Sequence, residues 1–348
     1  MFNPKLVVGI DVSKSDLDFA DFCKTDHKIT KEGDTKNEIK KIEKLLKGYD
    51  PLTTLIVFEP TGSYSDKLLH SCEKMGFKFS LVSPRASNYY TKALGISTKT
   101  DAQAARTLAL MGATQSLALY QPSSKENKER KRLMNHLCYL EKEKQALLNK
   151  IHAEEQLVKT SKTLLKSLNR RLKQTIKEIG EVEQSLKTIK DADFEAKKKK
   201  AKTVVGVGDK VADWVLTFSD GLTNFHTSGS LKKFFGLAPN THTSGSSVRK
   251  NQGISKAGPG KVRGCLYMAA LSAIKHNKVC KDLYYRLRER GKCHFKAIVA
   301  VMAKLLVQIF AVVKSDIDFD NDYLENKAKA KKAAQEERVD QTKVELAA

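Results

Sequence analysis

Three carboxylates stand where an α/β protein could use them for metal chemistry. Asp11 ends an apolar run in GIDVSK, Glu59 ends another in FEPTGSY, and Asp101 opens a helical stretch in STKTDAQAAR. A lone acid after a strand is ordinarily a turn or cap residue. Three at matching places in one unit are costly to gather unless they bind a cation. Hard oxygen ligands suit Mg2+, which nucleases use in pairs to hold the attacking and leaving oxygens of a phosphodiester. A second group lies far down the chain, in FFGLAPNTHTSGSSVRKNQGISKAGPGKVRG. Its hydroxyls sit among Arg249, Lys250, Lys256, Lys261 and Arg263, a cationic set suited to nucleic-acid phosphates. A serine attacks a phosphodiester only where cations or metals stabilise its developing charge. Composition alone reads this stretch as a flexible loop gripping phosphates.

The acids need a sheet to hold them. Leu6 to Val12 reads as a continuous apolar strand, with Leu17 to Phe22 and His27 to Thr30 as further strands of a hairpin meander. Asn37 to Leu46 reads as an amphipathic helix and Thr54 to Phe58 as a buried strand. Ser63 to Met75 is a helix, Lys78 to Val82 a strand, and Asp101 to Met111 a helix. That order is an α/β layer of the RNase H-like kind.

From Lys125 to Lys200 the chain has no proline and a single glycine, Gly180. A register stepping by four and three from Leu133 to Ile189 is apolar at thirteen of seventeen positions, the exceptions being Lys144, Glu154, Ser161 and Thr175. A seam this long predicts a coiled coil and self-association as a dimer or tetramer. One helix would run about 85 Å; a hairpin folded around Thr160 to Lys162 satisfies the same pattern. Beyond the basic linker at Lys197 to Lys200 comes a mainly helical unit, interrupted by a Gly-, Ser- and Thr-rich loop from Pro239 to Gly260. Within it, VVGVGDKVADWVL resembles the glycine turn of a helix-hairpin-helix. The expected divisions are a metal-binding domain at 1–118, coiled coil and linker at 119–200, a serine-bearing domain at 201–322, and a disordered tail at 323–348.

With 63 Lys and Arg against 40 Asp and Glu, the net charge is +23, which attracts polyanions. The stretch from Ala297 to Val313 is apolar but carries Lys304 and Gln308, and reads as a buried helix rather than a membrane span. The first residues lack a signal peptide's pattern, and six scattered cysteines without a CxxC pair argue against a disulfide framework or zinc ribbon. A cytoplasmic, nucleoid-associated protein without a membrane partner is expected.

GIDVSK, FEPTGSY and KTDxxxA together resemble the DEDD transposases, a family that includes Piv-type DNA invertases and bridge-RNA-guided insertion-sequence recombinases. The resemblance covers most of residues 5 to 315. It implies a RuvC-like amino-terminal domain whose four acids bind Mg2+, with Asp11, Glu59 and Asp101 in the first three places. The fourth acid falls three residues after the third, where this chain has Ala104. Either a change was introduced to silence the enzyme, which the intact surroundings favour, or the lineage manages with three acids. The expectation is weak metal binding and impaired strand cleavage.

GLAP, TSG and GISKAGPGKVR resemble the same family's carboxy-terminal domain, which implies Ser244 as a nucleophile forming a phosphoserine bond to DNA. Ser246 and Ser247 are fallback candidates. The implied activity is insertion or excision of a mobile element. Donor and target DNA would be recognised through a structured guide RNA, and acids and serine would come from different subunits. Open alternatives are an RNA-independent invertase, an RNase H-like nuclease or junction resolvase without a serine step, and a non-enzymatic nucleic-acid scaffold.

Overall fold

A short, mostly apolar run is the natural centre of a sheet covered on both faces. Leu6–Val12 (β1) takes that place. The chain turns back tightly, Ser13 N donating to Asp16 O at 2.9 Å, into Asp16–Cys23 (β2) and then Lys28–Lys36 (β3). Ile39–Leu46 (α1) crosses to Thr54–Phe58 (β4), and Asp66–Lys74 (α2) crosses to Lys78–Leu81 (β5). Two further helices follow, Pro84–Ala93 (α3) and Asp101–Thr114 (α4). The sheet order is β3-β2-β1-β4-β5, antiparallel across β3-β2-β1 and parallel across β1-β4-β5. This is the RNase H-like arrangement expected from the sequence. Helix α3 was not expected; its Ser83 cap and Pro84 start are legible once sought.

The computed structural model describes residues 2–97, 100–244, 248–323 and 326. The chain divides into two compact units, Met1–Pro122 and Ser123–Ala348. In the first, alternate residues of β1 serve different cores. Val8, Ile10 and Val12 pack with Ile42, Leu46 and Leu68 on the side of α1 and α2. Val7 packs with Leu55, Val57, Ala105, Leu108 and Ala109 on the side of α4. Residues 7, 9 and 11 therefore share the α4 face.

The second unit begins with Lys125–Glu155 (α5) and Lys162–Thr188 (α6). These form the folded-back hairpin, so the single long helix does not exist. Residues 156 to 161 turn the chain, and Ser161 caps α6 by accepting from Leu164 N at 3.3 Å. Leu147, Ile151 and Leu168 pack together with Leu165 and Leu172 within one chain. Part of the apolar seam is thus used between the two arms of one chain.

Ala192–Thr203 (α7), Asp209–Phe218 (α8) and Ser228–Phe234 (α9) lead to Pro239–Ser244 (β6) and Val248–Ile254 (β7). Gly260–His276 (α10), Lys278–Glu289 (α11) and His294–Ser315 (α12) complete the unit. Where the sequence suggested only a loop, β6 and β7 form an antiparallel hairpin. Helix α12 is long and apolar enough to cross a membrane, yet Ile298, Val301, Leu305, Leu306 and Ile309 are fully buried in the unit's own core. Its Gln308 is satisfied by Asn277 at 3.1 Å. Ser246, Ser247 and the tail from 327 onward lie outside the described residues.

The position of α4 is set by contact without side chains. A Cβ on Gly9 would lie 2.2 Å from Ala105 O and 2.3 Å from Ala109 N. On the helix side, a Cβ on Gly112 would lie 2.6 Å from Val57 Cγ2. Gly9→Ala must therefore lift α4 from the sheet, at a cost of roughly 2–3 kcal/mol by analogy with overpacked cores. Urea unfolding measures it; a loss below about 0.5 kcal/mol would show that α4 is not fixed by this contact.

Candidate active site

Asp11 lies four residues after Val7 on β1, on the face that α4 covers. Its partner across the antiparallel ladder is Asp18 of β2, whose own partner on β3 is Asp34. Directly opposed residues point to one face. On the other side Ile10 pairs with Phe58 in the parallel register, so Glu59 continues β4 beside Asp11. Asp34, Asp18, Asp11 and Glu59 thus form a row across four strands. Asp101 begins α4, whose start is fixed by Thr100 accepting from Gln103 N at 3.2 Å. A two-pronged ion pair, Arg106 to Glu32 at 2.5 and 2.6 Å, ties the helix to β3. Ala104 lies one turn along α4 and brings no carboxylate, its N–H donating to Thr100 O at 2.9 Å.

These acids feel one another. Burial, then the charges of Asp101, Glu59 and Asp18, push the Asp11 carboxyl up from 3.8 to about 6. Burial, then Asp101, Asp34 and Asp16, raise the Asp18 carboxyl. Among the described residues, no three His, Cys, Asp or Glu side chains close around a common point as metal ligands do. The fit to a metal rests instead on charge and donor type. All the facing groups are hard oxygen donors, and a half-buried carboxylate meets three like charges that a divalent cation would offset.

Asp18 was missed in the sequence. Its signal was the short turn after β1: pairing Val12 with Leu17 across it sets Asp11 opposite Asp18.

In the second unit, Ser244 is the last residue of β6 and pairs with Val248. Arg249 and Lys250 pair in the ladder with Thr243 and His242. The foot of this hairpin is tightly locked. Gly236 and Gly258 have φ values of 69° each, and a Cβ on either would lie within 2.3 Å of the facing backbone carbonyl. Arg263 clamps the same junction, Nη1 donating to Ala257 O at 2.7 Å, with Phe235 O and Gly258 O at 3.2 Å. Lys261 pairs with Glu141 of α5, while Lys256 is exposed in a left-handed conformation at φ 54°. Of the five cations, Arg263 and Lys261 therefore already have structural partners. In the glycine turn before α8, Asp209 is the first helical residue and pairs with Lys202 at 2.9 Å. A phosphate at that terminus would meet this carboxylate.

An acid with a raised folded-state pKa favours the fold while protonated. The Asp11 contribution is present below 3.8 and is lost as pH rises through about 6. Asp11→Asn should match the parent near pH ~4 and exceed it by roughly 1 kcal/mol near pH ~8 without metal, after discounting for partial exposure. Thermal unfolding with chelator measures the difference. Equal stability of the two chains at the higher pH would remove the repulsion inferred here.

A family model described as "Transposase", for the DEDD transposases of the IS110 type, matches residues 8–161. A second, "Transposase IS116/IS110/IS902 family", matches residues 198–285. The chain is 28% identical over 323 residues to a pilin gene-inverting protein of Moraxella lacunata, covering 91% of this chain and 98% of the relative. A pilin gene-inverting protein of Moraxella bovis is 28% identical over 274 residues, 78% and 84% of the two chains. Among solved structures, RuvC of T. thermophilus in complex with Holliday junction substrate matches at 11% identity and a TM-score of 0.25, covering 33% of this chain and 99% of that one. The first family model spans the strand-borne acids and the second reaches the foot and strands of the serine hairpin. This chain belongs to the DEDD transposases of the IS110 type and is a DNA recombinase.

Proposed function

We propose that this recombinase breaks and rejoins DNA with Mg2+ on the acid row and a covalent step at Ser244. The observation that carries the reading is the row itself: Asp18, Asp11 and Glu59 side by side under the first turn of α4, where Asp101 stands. Bound there, Mg2+ would polarise a phosphodiester oxygen and neutralise charge in the transition state. Asp11, Glu59 and Asp101 would hold the ion, and Asp18 stands nearby as a further carboxylate. The Ser244 Oγ attacks phosphorus; the P–O bond to the leaving deoxyribose breaks as the P–Oγ bond forms. The leaving deoxyribose oxygen takes up the proton that the serine hydroxyl gives up, and a phosphoserine ester joins protein to DNA. Lys256, Arg249 and Lys250 contact phosphates around it, with Lys261 and Arg263 holding the loop from behind.

The protein works on donor and target DNA in the cytoplasm as a homo-oligomer, acids and serine coming from different subunits. A structured guide RNA bound by the basic surface would read sequence. The near full-length match to gene-inverting proteins favours a second reading, inversion without RNA.

Denaturing gels of the chain with its mobile-element ends and Mg2+ should show a protein–DNA adduct that Ser244→Ala abolishes. Mixing Ser244→Ala with Asp11→Ala chains should restore it; failure of every mixture would end the idea of assembly between subunits. Adducts formed equally well without RNA would decide for the invertase reading, and cleavage with no adduct for a plain nuclease.

Asp18 also accounts for a lineage managing without an acid at 104. Ala104→Asp should tighten Mn2+ binding roughly tenfold, ~1.4 kcal/mol by calorimetry, and raise strand cleavage. Asp18→Asn should weaken binding, and less so beside Ala104→Asp. No gain from Ala104→Asp would count against an impaired site.

A further inference from the structure

A groove of about 830 Å3 opens between α9, the foot of the β6–β7 hairpin and α12. Its size is that of a small-ligand cleft, for which about 300–1,000 Å3 is usual. The floor is apolar, with Leu237 and Val299 among its residues. Lys232, Lys233, Lys292 and Lys296 line it and no acid does. Among the described residues, these four lysines have no carboxylate within ion-pairing distance. Phe295 joins them, 63% exposed, its ring tilted against Tyr267 at 6.3 Å between centroids.

An apolar floor with a cationic rim suits a ligand that is flat and greasy on one part and anionic on another. A nucleotide is both, its base offering a π face and its phosphate a charge. In a duplex the base faces are stacked away, so only an unstacked strand can present them. The groove also shares a strand with the proposed nucleophile. Pro239, in its wall, and Ser244 are the two ends of β6, roughly 17 Å apart at ~3.4 Å per residue.

We propose that this groove takes unpaired nucleotides of the single DNA strand running to the serine hairpin, a base stacking on Phe295 and phosphates meeting the four lysines. The inference takes from the recombinase reading only that the occupant is DNA. Separation of strands next to the hairpin would then be part of strand exchange, with the groove keeping the freed strand from re-annealing.

Anisotropy of labelled oligothymidylate on the full chain tests this, with a duplex of equal length as control. Phe295→Ala should weaken single-strand binding about tenfold, within the range for one stacked base, and leave duplex binding unchanged. Phe295→Trp should keep the parental affinity. Replacing the four lysines with glutamine should reduce the slope of log K against log salt by nearly three, at ~0.7 per phosphate contact on single strands. Phe295→Ala should leave that slope alone. Unchanged single-strand affinity in a Phe295→Ala chain of parental melting temperature would overturn the proposal. So would equal losses on duplex and single strand, a tryptophan variant as weak as the alanine, or tenfold tighter binding of oligouridylate. Loss of the Ser244 adduct with these affinities intact would strike the covalent step and leave the groove standing.

Discussion

The first unit depends on one contact, the backbone of α4 lying on the backbone of β1. Gly9 permits it from the strand and the small residues Ala105 and Ala109 permit it from the helix, while Gly112 lets the last turns settle on the side chains of Val7 and Val57. Because no side chain intervenes, the height and rotation of the helix above the sheet have almost no slack. The helix start, and Asp101 with it, is thereby fixed over the strand end that carries Asp11. A bulkier pair at this contact would keep the fold and lose the alignment, since a displaced helix carries its first carboxylate away from the others. The ion pair of Arg106 with Glu32 guards the same alignment from the β3 side.

The second unit uses the same device at the hairpin that bears Ser244. Gly236 and Gly258 bring two backbone segments into contact, and Arg263 joins them through three carbonyls. This explains why the motif around the serine extends so far on either side of it: FFGLAP and KAGPGKVR are the two halves of one joint. A guanidinium satisfied by carbonyls at the joint is worth more to the site as a fixed anchor than as one more phosphate ligand.

Much of this was legible in the sequence because strand-borne acids announce themselves by the apolar runs before them. The succession of strands and helices, the strand-end places of Asp11 and Glu59, and the buried nature of α12 follow from such runs, while Asp101 was placed by its helix start. What was not legible depended on pairing rather than periodicity. Asp18 becomes a site residue only through its register with Asp11. The β6–β7 hairpin is polar along its length, in PNTHTS and VRKNQGI, and offers no alternation to read. The helical hairpin was hidden for a different reason. Glu154 and Ser161 are seven residues apart, so the turn at 156 to 161 preserves the heptad phase and the two arms look like one helix.

A chain of net charge +23 that sets four of its acids in a row across one sheet divides attraction from repulsion of phosphate. The basic surface attracts the phosphate backbone anywhere along it, a binding that is strong, salt-sensitive and indifferent to sequence. The acid row does the reverse, repelling phosphate until a cation reverses its local sign. Burial sharpens this by making the Asp11 charge costly to hold alone. Without a cation, phosphate is thus drawn to the basic residues and held off the acid row. A divalent cation on the acids would lift that repulsion, so the proposed metal would serve the approach of phosphate as well as the chemistry.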